Sequence, residues 1–294
     1  MTEHCAPDVS VIVPVYNHWN LVPCLIACLA RQTVGCQRFE LLLVDNGSTE
    51  LIVPPDLPEW VRILQCSTPG SYVARNHALA HAKAALLAFT DADCQPQPQW
   101  LEGLLQEFAN APAESVIAGK ILVEPQNWAA PTVYELYDVA LGLPQQRYVR
   151  TRGYGVTANL SMSSKLLVGL GGFDSSRFSG GDADFCRRAT AQGARLIYGE
   201  SAVVVHPARN SWHELAKKVR RLKGGQIKAG SARQRIIFAV RTLLPPLRAW
   251  MFALQATRLS RWQRLRVCIV QCGLWGVEVK ELIRLLAGGQ PRRD

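Results

Sequence analysis

Two carboxylates one residue apart, Asp91 and Asp93, end the apolar run Ala85-Leu86-Leu87-Ala88-Phe89-Thr90. Such a pair can share one divalent cation, directly or through a ribose, and hard oxygen ligands suit Mg2+ or Mn2+. The same pattern also serves turns and helix caps. A second acidic cluster, Gly180-Gly181-Asp182-Ala183-Asp184, opens a helical stretch. Asp182 reads either as the helix N-cap or as a general base that takes a proton from an attacking hydroxyl. The paired glycines would let an acceptor come close to the backbone. His206 follows the apolar run Ala202-Val203-Val204-Val205. It is either a buried structural histidine or, joined to the Asp pair, a third ligand that favours Mn2+. His77 and His81, four apart on an Ala-rich helix without a nearby acid, are assigned to structure.

The elements that must position these groups alternate from the start. Val9 to Val15 and Phe39 to Val44 read as buried strands, with a helix from His18 to Gln32 between them. Val61 to Leu64 and Ala84 to Thr90 are further strands, separated by a helix over Ser71 to Lys83. Strand–helix alternation predicts a mostly parallel α/β sheet. Ligands then belong at the carboxyl ends of the strands, where Tyr16-Asn17, Asp45, Gly70 and the Asp91–Asp93 pair fall. A helix from Pro98 to Phe108, strands over Ser115 to Val123 and Val156 to Met162, and a helix over Asp182 to Gln192 follow. A last strand from Ala202 to Val205 delivers His206.

The 294 residues are 48% hydrophobic and 19% charged, which excludes wholesale disorder and permits a large core. Charge is uneven: Met1 to His206 holds 14 basic and 19 acidic side chains, net −5, and Pro207 to Asp294 holds 19 and 4, net +15. A basic tail on a mildly acidic body points to an acidic partner. Nine cysteines without CxxC spacing read as reduced thiols. The N-terminus has no basic segment followed by an apolar one, so the body is expected in the cytoplasm.

Five blocks in order carry a family resemblance: VSVIVPVYN, LLLVDNGS, PGSYVARNHALAHAKAALLAFTDADC, GGFDSSRFSGGDADFCRRA and AVVVHP, over residues 9 to 206. Together they resemble family 2 of the glycosyltransferases. The resemblance implies a GT-A fold, Rossmann-like with a mostly parallel sheet flanked by helices, and inverting transfer of a sugar from a nucleotide-sugar. By position it implies that Pro14, Tyr16 and Asp45 hold base and ribose, with Gly70 and Arg75 lining the nucleotide pocket. Asp91 and Asp93 match the metal-binding D-x-D motif, with Asp91 also at the nucleotide. His206 matches a late histidine completing the metal site, and Asp182 matches the proposed base. Asn159, Gly180, Gly181 and Asp184 are expected near the sugars. Uridine is the expected base. Gly181 departs from the pattern, since many members carry Glu there. The Gln-x-x-Arg-Trp signature of processive synthases is absent after Asp182, which implies addition of a single sugar to a glycan or glycolipid.

The expected division is a catalytic domain over 1–206, with its nucleotide half at about 1–95 and its acceptor half at about 96–206, and a helical extension over 207–294. In the extension, Ile236 to Leu254 is long enough to cross a bilayer. However, it contains Arg241 and Arg248 and is broken by Pro245-Pro246. A mid-membrane Arg costs about 2.5–3.5 kcal/mol on insertion scales. Helices lying on an anionic membrane surface, with Trp250, Trp262 and Trp275 at headgroup depth, fit better. The expected place is therefore the inner face of the cell membrane. Nucleic acid is not expected, because the basic residues share helices with apolar runs rather than an aromatic-studded groove. The competing reading is a sugar-binding scaffold that has lost turnover through Gly181; retention of Asp91, Asp93 and Asp182 weighs against it.

Overall fold

The computed structural model describes residues 6–177, 179–228 and 231–291. In chain order its elements are β1 (Val9–Val15), α1 (Val22–Leu29), β2 (Phe39–Asp45), β3 (Val61–Gln65), α2 (Ser71–Leu79), β4 (Leu86–Phe89), β5 (Gln95–Pro96), α3 (Trp100–Asn110) and β6 (Ser115–Glu124). Then come α4 (Val133–Leu141), α5 (Gln145–Arg152), β7 (Leu160–Ser163), α6 (Ser164–Gly169), α7 (Gly181–Ala191) and β8 (Arg195–Pro207). The chain closes with α8 (Trp212–Lys228), α9 (Ala232–Leu243), α10 (Leu247–Leu254) and α11 (Arg261–Leu286).

The strands form one sheet in the order β3-β2-β1-β4-β7-β6-β8-β5. Strands β3, β2, β1 and β4 run parallel, whereas β4–β7, β7–β6 and β5–β8 pair antiparallel. The sheet is therefore mixed, not mostly parallel. Apolar runs and side-chain alternation report which faces of a strand are buried, not which way it runs. Side chains of β1 and β2 alternate between two cores. Val11, Val13, Leu41 and Leu43 meet α1 and α3 through Leu25, Leu29, Trp100 and Leu101. Ile12, Leu42 and Val44 meet α2 and α7 through Ala74, Ala78, Phe185 and Ala189. Burial on both faces is why these strands read as continuous apolar runs.

The chain divides into two compact units, 1–122 with 144–176 and 181–206, and 123–143 with 177–180 and 207–294. Residues 123–143, grouped with the catalytic body in the sequence, thus belong with the C-terminal helices. Within that second unit, Leu136 of α4 packs with Ala253, Leu259 and Val267. Leu215 and Ala216 of α8 pack with Val270 and Leu274 of α11. Asp138, wholly buried, accepts from Arg209 Nη1 at 2.8 Å and Lys218 Nζ at 3.2 Å. Burial, opposed by Asp138, brings the Lys218 ammonium down to about 8.

The apolar stretch 236–254 is two helices, α9 and α10, bent by 63° across Pro245-Pro246. Among the described residues no single helix is long and apolar enough to cross a membrane. A further apolar run, Val267 to Val279, is part of the 26-residue α11.

Candidate active site

Strands β1 and β2 end in register, Val15 opposite Asp45. Asp45 is buried, and its Oδ1 accepts from Trp19 Nε1 at 2.9 Å while Oδ2 accepts from the Gly47 and Ser48 amides at 3.2 and 3.3 Å. Burial raises its pKa, but the bonds from Ser48, Trp19 and Gly47 outweigh this and hold it below the ordinary aspartate value. Asn46 spans the next loop: Oδ1 accepts from the Gly70 amide at 2.6 Å, and Nδ2 donates to Cys66 O at 3.2 Å and Thr68 O at 2.7 Å. Gly70, at φ +135°, starts α2 from a conformation that side chains rarely adopt. Pro14 is half-buried in β1, and Tyr16 just beyond it is 57% exposed. The polar edge expected from the sequence is therefore built from these residues.

Strand β4 delivers the acidic pair. Beyond Phe89 the chain turns, the Cys94 amide donating to Asp91 O at 3.0 Å. That turn and β8 bring ligand atoms of Asp91, Asp93, Cys94 and His206 within 4.8 Å of one another. His206 Nε2 lies 3.6 Å from Asp93 Oδ2. Two carboxylates and an imidazole fit Mn2+ or Mg2+. Burial pushes the Cys94 thiol well up, so it stays protonated beside the carboxylates. Arg75 on α2 is buried, and its Nη2 donates to Asp91 Oδ1 at 2.6 Å. Its buried Nε has no acceptor among the described residues.

Asp182 lies in the first turn of α7, one residue inside the helix rather than at the N-cap. Its Oδ1 accepts from the Ala183 amide at 2.8 Å. Burial pushes its carboxyl above the ordinary aspartate value, against the pull of the Ala183 amide, Arg75, Thr157 and Tyr72. Gly180, at φ +77°, turns the chain into the helix. Asp184 pairs with Arg188 one turn on, at 2.9 Å. Asn159 is not at the sugars: it is wholly buried, donating to Lys120 O and Ala202 O at 2.9 Å each and accepting from Trp100 Nε1 at 3.0 Å. Its amide ties β6, α3 and β8 together in a place solvent does not reach. His77 on α2 and His81 just beyond its end lie with ring centroids 5.3 Å apart and planes tilted by 51°, away from any acidic cluster among the described residues.

The sequence did not single out Cys94, Trp19, Asn46 or Tyr72. Asn46 sits in the turn run Asp45-Asn46-Gly47-Ser48, which is itself a loop-organising signal. The others gain their place only from long-range packing.

The model for "Glycosyl transferase family 2" matches residues 10–165. The glycosyltransferase AglE of Haloferax volcanii is 33% identical over 228 residues, covering 75% of this chain and 73% of its own length. The pre-mycofactocin glycosyltransferase of Mycobacterium tuberculosis is 31% identical over 222 residues, covering 72% of this chain; the chain spans only 45% of that protein. Among solved structures, a Pyrobaculum calidifontis mannosyltransferase in complex with GDP-Man and Mn2+ superposes with a TM-score of 0.61 at 19% identity, covering 95% of this chain and 88% of its own. Residues 1–349 of TarS from S. aureus, in complex with UDP-GlcNAc, give 0.52 at 18%, covering 97% and 93%. At these identities the structural likeness speaks to the fold.

Proposed function

The chain belongs to glycosyltransferase family 2, and from that premise we propose metal-dependent, inverting transfer of one sugar from a UDP-sugar to a hydroxyl of a glycan or lipid-linked acceptor. One observation carries the reading: Asp91, Asp93 and His206, far apart in sequence, converge at the carboxyl edge of the parallel strands. A divalent cation held there would supply positive charge to the leaving diphosphate. Arg75, with a buried donor that has no acceptor among the described residues, adds a second positive group beside Asp91. In this reading Asp45 and Tyr16 receive ribose and base. Asp182 takes the proton from the acceptor hydroxyl, whose oxygen attacks the anomeric carbon opposite the diphosphate. The bond from that carbon to the diphosphate breaks, and the diphosphate leaves with the electron pair. The burial that raises the Asp182 pKa makes it a stronger base than an exposed aspartate.

The same reading places the enzyme on the inner face of the cell membrane, its second unit on anionic lipid. What supports it is the coincidence of exposed Ile236, Leu243, Leu247 and Trp262 with exposed Arg233, Arg235, Arg241 and Arg248.

Calorimetric titration of UDP, GDP and CMP with and without Mn2+ tests the donor site. UDP is expected to bind only with the metal, and Asp93→Ala is expected to abolish that binding. Unchanged UDP affinity in Asp93→Ala would remove the metal assignment, and selective binding of GDP would replace the donor class.

A further inference from the structure

We infer that the acceptor of this enzyme carries a phosphate group, held by the guanidinium groups of Arg152 and Arg187 beside the helix that bears Asp182. The inference rests on the reading of Asp182 as the base, because that reading makes the surroundings of α7 the acceptor's side. Residues 139–173 hold three arginines and a lysine but no Asp or Glu, within a body whose first 206 residues are net −5. The three arginines, Arg147, Arg150 and Arg152, all lie on the eight-residue α5. Like charges three apart, as at 147 and 150, destabilise a helix, and α5 has no acidic residue to offset them. The helix dipole accounts for cations at the C-terminal end of α5, but not for Arg187, brought there from α7.

Packing builds the cluster. Tyr148 of α5 and Tyr154, just after the left-handed Gly153, stack with centroids 4.9 Å and planes 23° apart. Arg152 Cζ lies 5.2 Å from the Tyr148 centroid, and Arg187 Cζ lies 6.0 Å from that of Tyr154. Gly155 ties this segment to α7: its amide donates to Cys186 Sγ at 3.5 Å, and the thiol donates back to its carbonyl at 3.9 Å. Arg152 and Arg187 are exposed, and neither has an acidic partner among the described residues. A ring takes the flat of a guanidinium and leaves its edge donors to an oxyanion. Burial, with Arg152 adding to it, pushes the Arg147 guanidinium below its ordinary value, so the cluster is short of negative charge. Arginine, a planar fork of donors, takes phosphate oxygens two at a time. Arg187 stands five residues beyond Asp182, about 7.5 Å along the axis of α7. An acceptor sugar with its hydroxyl at Asp182 therefore brings a phosphate on its far side to this cluster. In the same reading the donor diphosphate has the metal cluster and Arg75, which leaves these arginines to the acceptor.

The test is calorimetric titration of two phosphates into the full-length protein, with and without UDP and Mn2+: glucose 1-phosphate, and dodecyl phosphate in dodecyl maltoside micelles. Both are expected to bind, and methyl glucoside, which lacks the phosphate, is not. Arg152→Gln combined with Arg187→Gln is expected to weaken phosphate binding at least about tenfold, with the Kd for UDP and Mn2+ unchanged. Equal weakening of both probes shows recognition of the phosphate itself, and weakening of dodecyl phosphate alone shows a lipid phosphate. Phenylglyoxal labelling of the wild type, read by mass spectrometry, locates the site without a variant. Glucose 1-phosphate should protect Arg152 and Arg187 and leave Arg195, exposed on β8, unprotected. The inference is overturned if the wild type binds neither probe, if the variant binds both undiminished, or if Arg152 and Arg187 stay unprotected. Probe binding that UDP and Mn2+ displace belongs to the donor site and overturns it equally. Full release of nucleoside diphosphate by Asp182→Asn would instead overturn the base assignment; that failure is read from turnover, whereas failure of the phosphate site is read from binding.

Discussion

A buried carboxylate that serves as a base works against the stability of its own fold. The Asp182 pKa is higher folded than unfolded, so between those two values the native state holds more protons than the unfolded chain. Stability therefore falls as pH rises through that window, and above it the cost of burying the charge is complete. Asp182→Asn removes the charge at nearly constant shape. It is expected to keep nucleotide binding, to lose transfer, and to melt above the wild type at pH 7, as when a strained functional group is removed. The gap should close as pH falls below the window. Equal melting at pH 7, or a gap that widens on acidification, would contradict the raised pKa. At this scale Asp45, Asp91, Asp93 and His206 were legible because each follows an apolar run that ends abruptly. Tyr72 was not, because its place against Gly181, more than a hundred residues away, is set by packing.

At the scale of elements, the buried amide of Asn159 joins β6, α3 and β8. Asn159→Ala leaves Trp100 Nε1 without its acceptor and two buried carbonyls without their donor. We expect a loss of about 2–4 kcal/mol in urea unfolding, typical of breaking a buried polar network. Gly119→Ala should cost a similar amount, since its Cβ would fall 2.4 Å from Asn159 Nδ2. The double variant should lose less than the sum, because both changes disable one network. Additive losses would show that the network is not shared. The strands β1, β2 and β4 and the helices α3 and α7 were readable from apolar runs and helical spacing. The helix α4 was not, although its capping box, Thr132 with Glu135, stands in the sequence. The direction of β7 was hidden because the alternation of Leu160-Ser161-Met162-Ser163 reports which side chains share a face, not which way the strand runs.

For the whole molecule, composition announced a basic tail, and the structure turns it into a surface. Pelleting with phosphatidylglycerol vesicles is expected, weakening as salt rises. Replacing Leu243 and Leu247, 58% and 65% exposed, by Glu is expected to weaken it at least about tenfold, through lost apolar burial and added repulsion. Binding insensitive to those changes would locate the lipid contact elsewhere, and competition by oligonucleotides would point to nucleic acid.

The apportioning of residues 123–143 to the C-terminal helices has a consequence for biosynthesis. Leu136 packs against Ala253, Leu259 and Val267, which leave the ribosome more than a hundred residues later. At roughly 5–20 residues per second, α4 waits on the order of ten seconds for its partners. During that interval the apolar face of this segment is still uncovered. Chaperone occupancy of nascent chains should therefore centre on this segment and end once α11 has emerged.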